Sequence, residues 1–133
     1  MKEKIVLFVC VENAARSQMA EGFFNKYAPA DYRAVSAGTK PAGKINPLAV
    51  QAMKEIGIDI SRQKSKIIAD DMIRNSAKAV NMGCTDRSEC PLLFLKNPLE
   101  WGIEDPKDKP IEKVREIRDE IERRVKGLAE NLS

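Results

Sequence analysis

The run IVLFV at positions 5–9 is apolar throughout, ends on Cys10, and leads at once into VENAARS. A strand with one wet face alternates polar and apolar residues. A strand without that alternation is buried on both faces, which is the mark of a central strand in a parallel sheet. Parallel strands need crossover connections, usually helices. The rest of the chain supplies them. A helix is expected over 18–27, with Ser17 as its cap and Met19, Ala20, Phe23, Phe24 and Tyr27 on or near one face. Residues 33–37 read as a second strand, stopped by Gly38. Asn46 caps a helix with Pro47 at its first position, and Gly57 ends it. A short helix over 69–75 precedes a third strand over 77–82, and 99–103 reads as a fourth. From Glu112 onward, Val114, Ile117, Ile121, Val125, Leu128 and Leu132 recur at helical spacing, with Asp119–Arg123 and Glu120–Arg124 able to pair on the outer face. The expected fold is α/β: a single doubly wound domain over 1–133, with a four-stranded parallel sheet flanked by helices.

Such a sheet takes its ligands outside the carboxyl ends of its strands. Cys10, Cys84 and Asp105 all follow strands, so one rim gathers them. The loop between Cys10 and Ser17 is suited to a tetrahedral anion. The backbone N–H groups of Val11, Glu12, Asn13, Ala14, Ala15 and Arg16 form a candidate nest, and the following helix adds the positive end of its dipole. Arg16 offers a planar fork for two oxygens. Cys10 then sits under the central atom, and the same positive field favours its thiolate, the nucleophilic form. Ser17 can donate its hydroxyl to that sulfur. Asn13 suits a left-handed position in a tight loop. Taken singly, Cys10 is an inert buried cysteine, Arg16 a surface charge and Ser17 a helix cap. Together, between a strand and a helix, they point to chemistry on an oxyanion.

Bulk composition narrows the classes further. The 133 residues carry a net charge of +3, with 43% hydrophobic and 32% charged residues, and the basic residues are interleaved with acids. Neither nucleic acid nor a membrane is an expected partner. The apolar run at the N-terminus is too short for a secretory segment and lacks a small-residue cleavage site, so a cytoplasmic protein is expected. Three cysteines and no histidine argue against a finished disulfide framework, a Cys–His pair and a structural zinc site. No metal and no cofactor are expected, and the cysteines would work as thiolates in a reducing compartment.

CVENAARSQMAEGF resembles the C-x5-R-S loop and first helix of the low-molecular-weight protein tyrosine phosphatase superfamily. SAGT (36–39), NPLAVQAMKEIGIDIS (46–61) and WGIEDP (101–106) are also similar to that family, so the resemblance runs nearly the full chain. Within the family the sequence looks most like the thioredoxin-coupled arsenate reductases. The resemblance implies that Asp105 protonates the leaving oxygen, either burial or the incoming anion keeping it protonated. Lys107 stands where phosphatases of this fold tend to carry a tyrosine, which counts against a tyrosine-phosphate pocket. MGCTDRSECP is similar to the redox segment of the arsenate reductases. By that likeness Cys84 attacks Cys10 in a thiol–arsenate adduct, Cys90 then attacks Cys84, and thioredoxin or a similar dithiol reduces the Cys84–Cys90 bridge. Adjacent strands lie about 4.8 Å apart, and a disulfide wants Cα atoms roughly 5.5 to 6 Å apart. Cys10 and Cys84 could therefore meet if the first and third strands are neighbours. The wholly polar segment 85–89 makes few core contacts and could refold cheaply.

Two departures are visible in the loop. Ala14 and Ala15 stand where a serine and a cysteine are frequent, so Ala14 contributes only its N–H and Ala15 removes a competing thiol. Some arsenate reductases hold potassium near the loop. Asn13, Glu21 and Ser36 match that set, but Lys66 replaces its aspartate, and its ammonium is expected to stand in for the cation by pairing with Glu21. The expected function is reduction of arsenate to arsenite by a monomer that binds arsenate or phosphate. A phosphatase working through a phosphocysteine is the alternative, and an oxyanion-binding or redox-sensing module without turnover is a third reading.

Overall fold

The computed structural model describes residues 3–83, 88 and 90–132. Four parallel strands, β1 (Lys4–Cys10), β2 (Tyr32–Gly38), β3 (Ser76–Asn81) and β4 (Leu99–Glu100), lie in the order β2-β1-β3-β4. The first and third strands are therefore neighbours, as the disulfide expectation requires. Leu7 pairs with Val35 on one side and Ala79 on the other, which accounts for an apolar run with no polar alternation.

Successive β1 side chains point to opposite faces. Val6, Phe8 and Cys10 join a core with α1 (Arg16–Tyr27), α2 (Pro47–Lys54) and α5 (Ile111–Asn131), through Met19, Phe23, Phe24, Met53, Ile117, Ile121 and Val125. Leu7 and Val9 face the other way, into a cluster with Ile73 of α3 (Asp70–Asn75), Leu93 of α4 (Pro91–Leu95) and Cys90. Helices thus cover both faces, and the doubly wound architecture stands. Among the described residues no helix is long and apolar enough to cross a membrane.

Three local features differ from expectation. Ser17 does not cap α1: the helix begins at Arg16, Ala15 occupies the cap without a side-chain hydrogen bond, and the Ser17 hydroxyl is turned to other use. The fourth strand spans two residues rather than five. Helix α4 has no counterpart among the expected elements. The α2 cap matches: Asn46 Oδ1 accepts from Leu48 N at 2.9 Å, with Pro47 opening the helix. Glu120 pairs with Arg124 at 3.1 Å, whereas Asp119 accepts from its neighbour Arg118 at 2.9 Å.

Candidate active site

The loop from Cys10 to Arg16 is held from outside by its carbonyls. Val11 O accepts from Lys40 N (2.9 Å), Glu12 O from Ala42 N (2.9 Å) and Ser65 Oγ (3.1 Å), and Asn13 O from Gln18 Nε2 (3.0 Å). Ala14 O accepts from Asn46 N and Ala15 O from Met19 N, both at 2.8 Å. The peptides are trans, so each N–H points opposite to the carbonyl of its own peptide plane. With the carbonyls of 11–15 committed outward, the N–H groups of 12–16 turn inward, and none of these finds an acceptor among the described residues. Helix α1 starts there with no side-chain cap and no acid in its first turn. Unsatisfied N–H groups and the positive end of a helix dipole meet at one place, which is what an anion requires.

Hydrogen-bond polarity at Asn13 follows from groups whose chemistry allows no choice. Lys66 N can only donate, and it reaches Asn13 Oδ1 at 3.0 Å. That fixes the Asn13 amide, so Asn13 Nδ2 faces Ser17 Oγ, 2.7 Å away, and donates to it. The Ser17 oxygen is thus an acceptor from Asn13, and it lies 2.9 Å from Cys10 Sγ, in a contact where either group can donate. The Asn13 side chain is itself held by Gln18 Nε2, which also donates to Lys64 O at 2.9 Å. Gln63 Nε2 then donates to Gln18 O (3.0 Å) and to Gln18 Oε1 (2.8 Å). Asn13 takes φ 49°, the left-handed value its residue type accommodates. Gln18 and Gln63 are not among the residues that the sequence singles out. The available signal is a glutamine on the buried face of α1 beside Met19, where a buried amide must find partners.

Arg16 is almost fully buried. Its Nη1 donates to Ile103 O (3.1 Å) and Met82 O (3.3 Å), tying α1 to the segments that leave β3 and β4. Its Nη2 lies 3.6 Å from Asp105 Oδ2. The approach depends on Gly83, whose φ of 143° is a glycine conformation and where a Cβ would overlap Arg16 Nη1. Asp105 Oδ1 accepts from Lys107 N at 3.0 Å. The Asp105 side chain is 50% exposed at the cleft. Trp101, packed on Phe8 with centroids 5.9 Å apart, anchors the segment that delivers Asp105.

These parts frame a cleft of about 490 Å³ lined by Cys10, the loop, Lys44, Pro47, Leu48, Asp105, Lys107 and Asp108. Across it, Lys107 Nζ donates to Glu12 Oε2 at 3.0 Å, and that bond holds the Lys107 ammonium above the ordinary lysine value. The expected Lys66–Glu21 pairing is present at 4.0 Å, with Ser36 Oγ donating to the same carboxylate at 2.6 Å.

Of the residues picked out from sequence, Cys10, Arg16, Ser17, Asp105 and the loop 11–15 come together at one rim. Cys90 does not join them: it is buried in the cluster on the opposite face of the sheet. Cys84, with residues 85–87 and 89, lies outside the described residues, so the expected approach of Cys84 to Cys10 and the polar loop fall there too.

Comparison with known proteins agrees with this geometry. The sequence profile of the low molecular weight phosphotyrosine protein phosphatases matches residues 5–133. An arsenate reductase from Staphylococcus aureus (strain Newman) is 42% identical over 123 residues, covering 91% of this chain and 92% of that protein. A solved structure of an arsenate reductase in the phosphate binding state has a TM-score of 0.84 at 32% identity, covering 98% of this chain and 99% of that one. A thioredoxin-dependent arsenate reductase from Corynebacterium glutamicum has a TM-score of 0.82 at 38% identity, covering 98% of this chain and 62% of that one. With the family profile spanning all but the first few residues, the chain belongs to the low molecular weight phosphotyrosine protein phosphatase family.

Proposed function

We propose that this chain, working as one domain in a reducing cytosol, reduces arsenate to arsenite with Cys10, Cys84 and Cys90 in series. The observation that carries the reading is the loop after Cys10, whose carbonyls are all engaged while the N–H groups of 12–16 find no acceptor among the described residues, with Ser17 Oγ 2.9 Å from the Cys10 sulfur. Arsenate enters that loop, with Arg16 Nη2 turned to its oxygens. Cys10 sulfur forms a bond to arsenic, and Asp105, protonated in the loaded site, supplies the proton that lets one oxygen leave as water. Cys84 thiolate then attacks Cys10 sulfur. The S–As bond breaks with its electron pair going to arsenic, so As(V) becomes As(III) while two thiolates become a disulfide. Cys90 attacks Cys84, releases Cys10, and leaves a Cys84–Cys90 bridge for an external dithiol of the thioredoxin class.

Two supports favour reduction over hydrolysis. The arsenate reductases compared above match the chain nearly end to end. Lys107, bonded to Glu12, also replaces an aromatic wall with an ion pair. The test is oxidation of NADPH through thioredoxin reductase and thioredoxin on adding arsenate. Turnover by the wild type that vanishes in both Cys84→Ser and Cys90→Ser is the expected result. Steady aryl phosphate hydrolysis surviving both substitutions, with no arsenate-dependent oxidation, would sink the proposal and leave the phosphatase reading.

A further inference from the structure

Glu12 is out of place in its own loop. The turn from Cys10 to Arg16 gathers N–H groups and a guanidinium toward the cleft, yet its third residue carries a carboxylate, and that side chain lines the same cleft. An unpaired carboxylate there repels any oxyanion that approaches Cys10. The structure answers the charge from the opposite wall, where Lys107 Nζ meets Glu12 Oε2 at 3.0 Å. Both side chains are solvent-accessible, 60% for Lys107 and 36% for Glu12, and exposed ion pairs contribute little to folding stability. The consequence of the pair is therefore local. A cleft wall sets the potential that an entering anion meets, and one unmasked charge changes that potential at short range. The other charged groups of the cleft are Arg16, Lys44, Asp105 and Asp108; Asp105 faces Arg16.

We propose that Lys107 is a charge mask: it neutralises the Glu12 carboxylate at the mouth of the cleft, so that the N–H ring over Cys10 stays open to oxyanions. Lys107 is a positioning residue in this account and touches neither the anion nor Cys10. The inference rests on the oxyanion reading of the site. It predicts a specific asymmetry: removing Lys107 harms binding only while Glu12 keeps its charge.

The experiment measures protection of Cys10 from iodoacetamide by inorganic phosphate, followed by mass spectrometry of the Cys10 peptide in the full-length protein. Wild type, Lys107→Ala, Glu12→Gln and the double variant Glu12→Gln/Lys107→Ala are compared. At low salt, Lys107→Ala is expected to need about tenfold more phosphate for half-protection, a gap that narrows as salt screens the carboxylate. The double variant is expected within about twofold of wild type, a coupling that a purely structural role for Lys107 would not produce. Protection of Lys107→Ala equal to wild type overturns the mask. So does a double variant as weak as Lys107→Ala, since Lys107 would then attract the anion directly. Failure of phosphate to protect the wild type, with no arsenate turnover, overturns the oxyanion reading and the mask together.

Discussion

At the scale of single residues, the site depends on what Arg16 is allowed to do. Its Nη1 is committed to Ile103 O and Met82 O, and this leaves Nη2 beside Asp105 at the cleft. Gly83 makes room for that guanidinium, so the arginine and the glycine form one device. Gly83→Ala is expected to push the guanidinium aside and to lower kcat/KM for arsenate about a hundredfold, the size of loss that follows a misplacement of roughly 1 Å. The substitution also strains a backbone at φ 143°, at a cost of about 1–3 kcal/mol. A control separates the two effects. Gly57 has φ 82°, and no atom lies within 4 Å of the place an added methyl would take, so Gly57→Ala carries backbone strain without touching Arg16. Thermal unfolding and arsenate turnover measured on both variants should show a lower Tm in each, the larger loss at Gly83, but a loss of activity at Gly83 alone. Equal activity in the two would mean that Arg16 adapts and that Gly83 has only a conformational role.

At the scale of elements, α2 is bolted to α5 by the glutamate at its C-terminal cap. Arg115 reaches both Glu55 oxygens, through Nε at 3.0 and 3.2 Å and through Nη2 at 2.7 Å, while Arg118 Nη1 bonds Glu55 Oε1 at 3.0 Å and Ala52 O at 2.8 Å. The Arg115 hydrogen bonds, with smaller help from Arg118, hold the Glu55 carboxyl below the ordinary glutamate range. The folded value is lower than the unfolded one, so the stabilisation is complete above the unfolded value and is lost as pH falls through the folded one. Glu55→Gln should therefore unfold at a lower temperature than wild type near neutrality. The two curves of Tm against pH should converge in acid, and a constant gap down to pH 3, about one unit below the usual glutamate range, would show that the ion pairs are not the cause. Because α2 carries Pro47 and Leu48 into the cleft, the same junction sets one wall of the site. Much of this level is legible in the sequence. The unbroken apolar run of β1, the Asn46-Pro47 start of α2 and the long periodic stripe of α5 each carry their own signal. Helix α4 and the true length of β4 do not, because five residues and two residues are shorter than any periodicity can register. Ser17 misleads for a related reason: a serine before a helix is ordinarily its cap, and only the tertiary approach of Cys10 and Asn13 takes the hydroxyl elsewhere. Glu12–Lys107 and Gln63–Gln18 join residues far apart in the chain, and such pairs appear only once the loops are folded together.

At the scale of the whole molecule, the sheet separates the two described cysteines. Cys10 belongs to the core shared with α1 and α5, Cys90 to the cluster with α3 and α4. The two sulfurs therefore start in clusters on opposite faces of the sheet, and the proposed relay uses Cys84 as the carrier between them. Cys84 follows Gly83, two residues beyond Met82, whose N–H bonds Val9 O at 2.8 Å, and Gly83 stands against Arg16. In the proposed relay Cys84 serves the Cys10 adduct first, and that order of events has a consequence measurable without any external reductant. Pre-reduced wild type given excess arsenate should release about one equivalent of arsenite per chain and finish with a Cys84–Cys90 bridge. Cys90→Ser should release the same single equivalent but stop at a Cys10–Cys84 bridge, identified by peptide mapping after alkylation. Cys84→Ser should release none, because no thiolate is left that can reach the adduct on Cys10 while Cys90 stays in its cluster. Arsenite from Cys84→Ser would overturn the order. It would require Cys90 to leave the far face of the sheet unaided, and the barrier that the fold places between the two cysteines would then be no barrier to the chemistry.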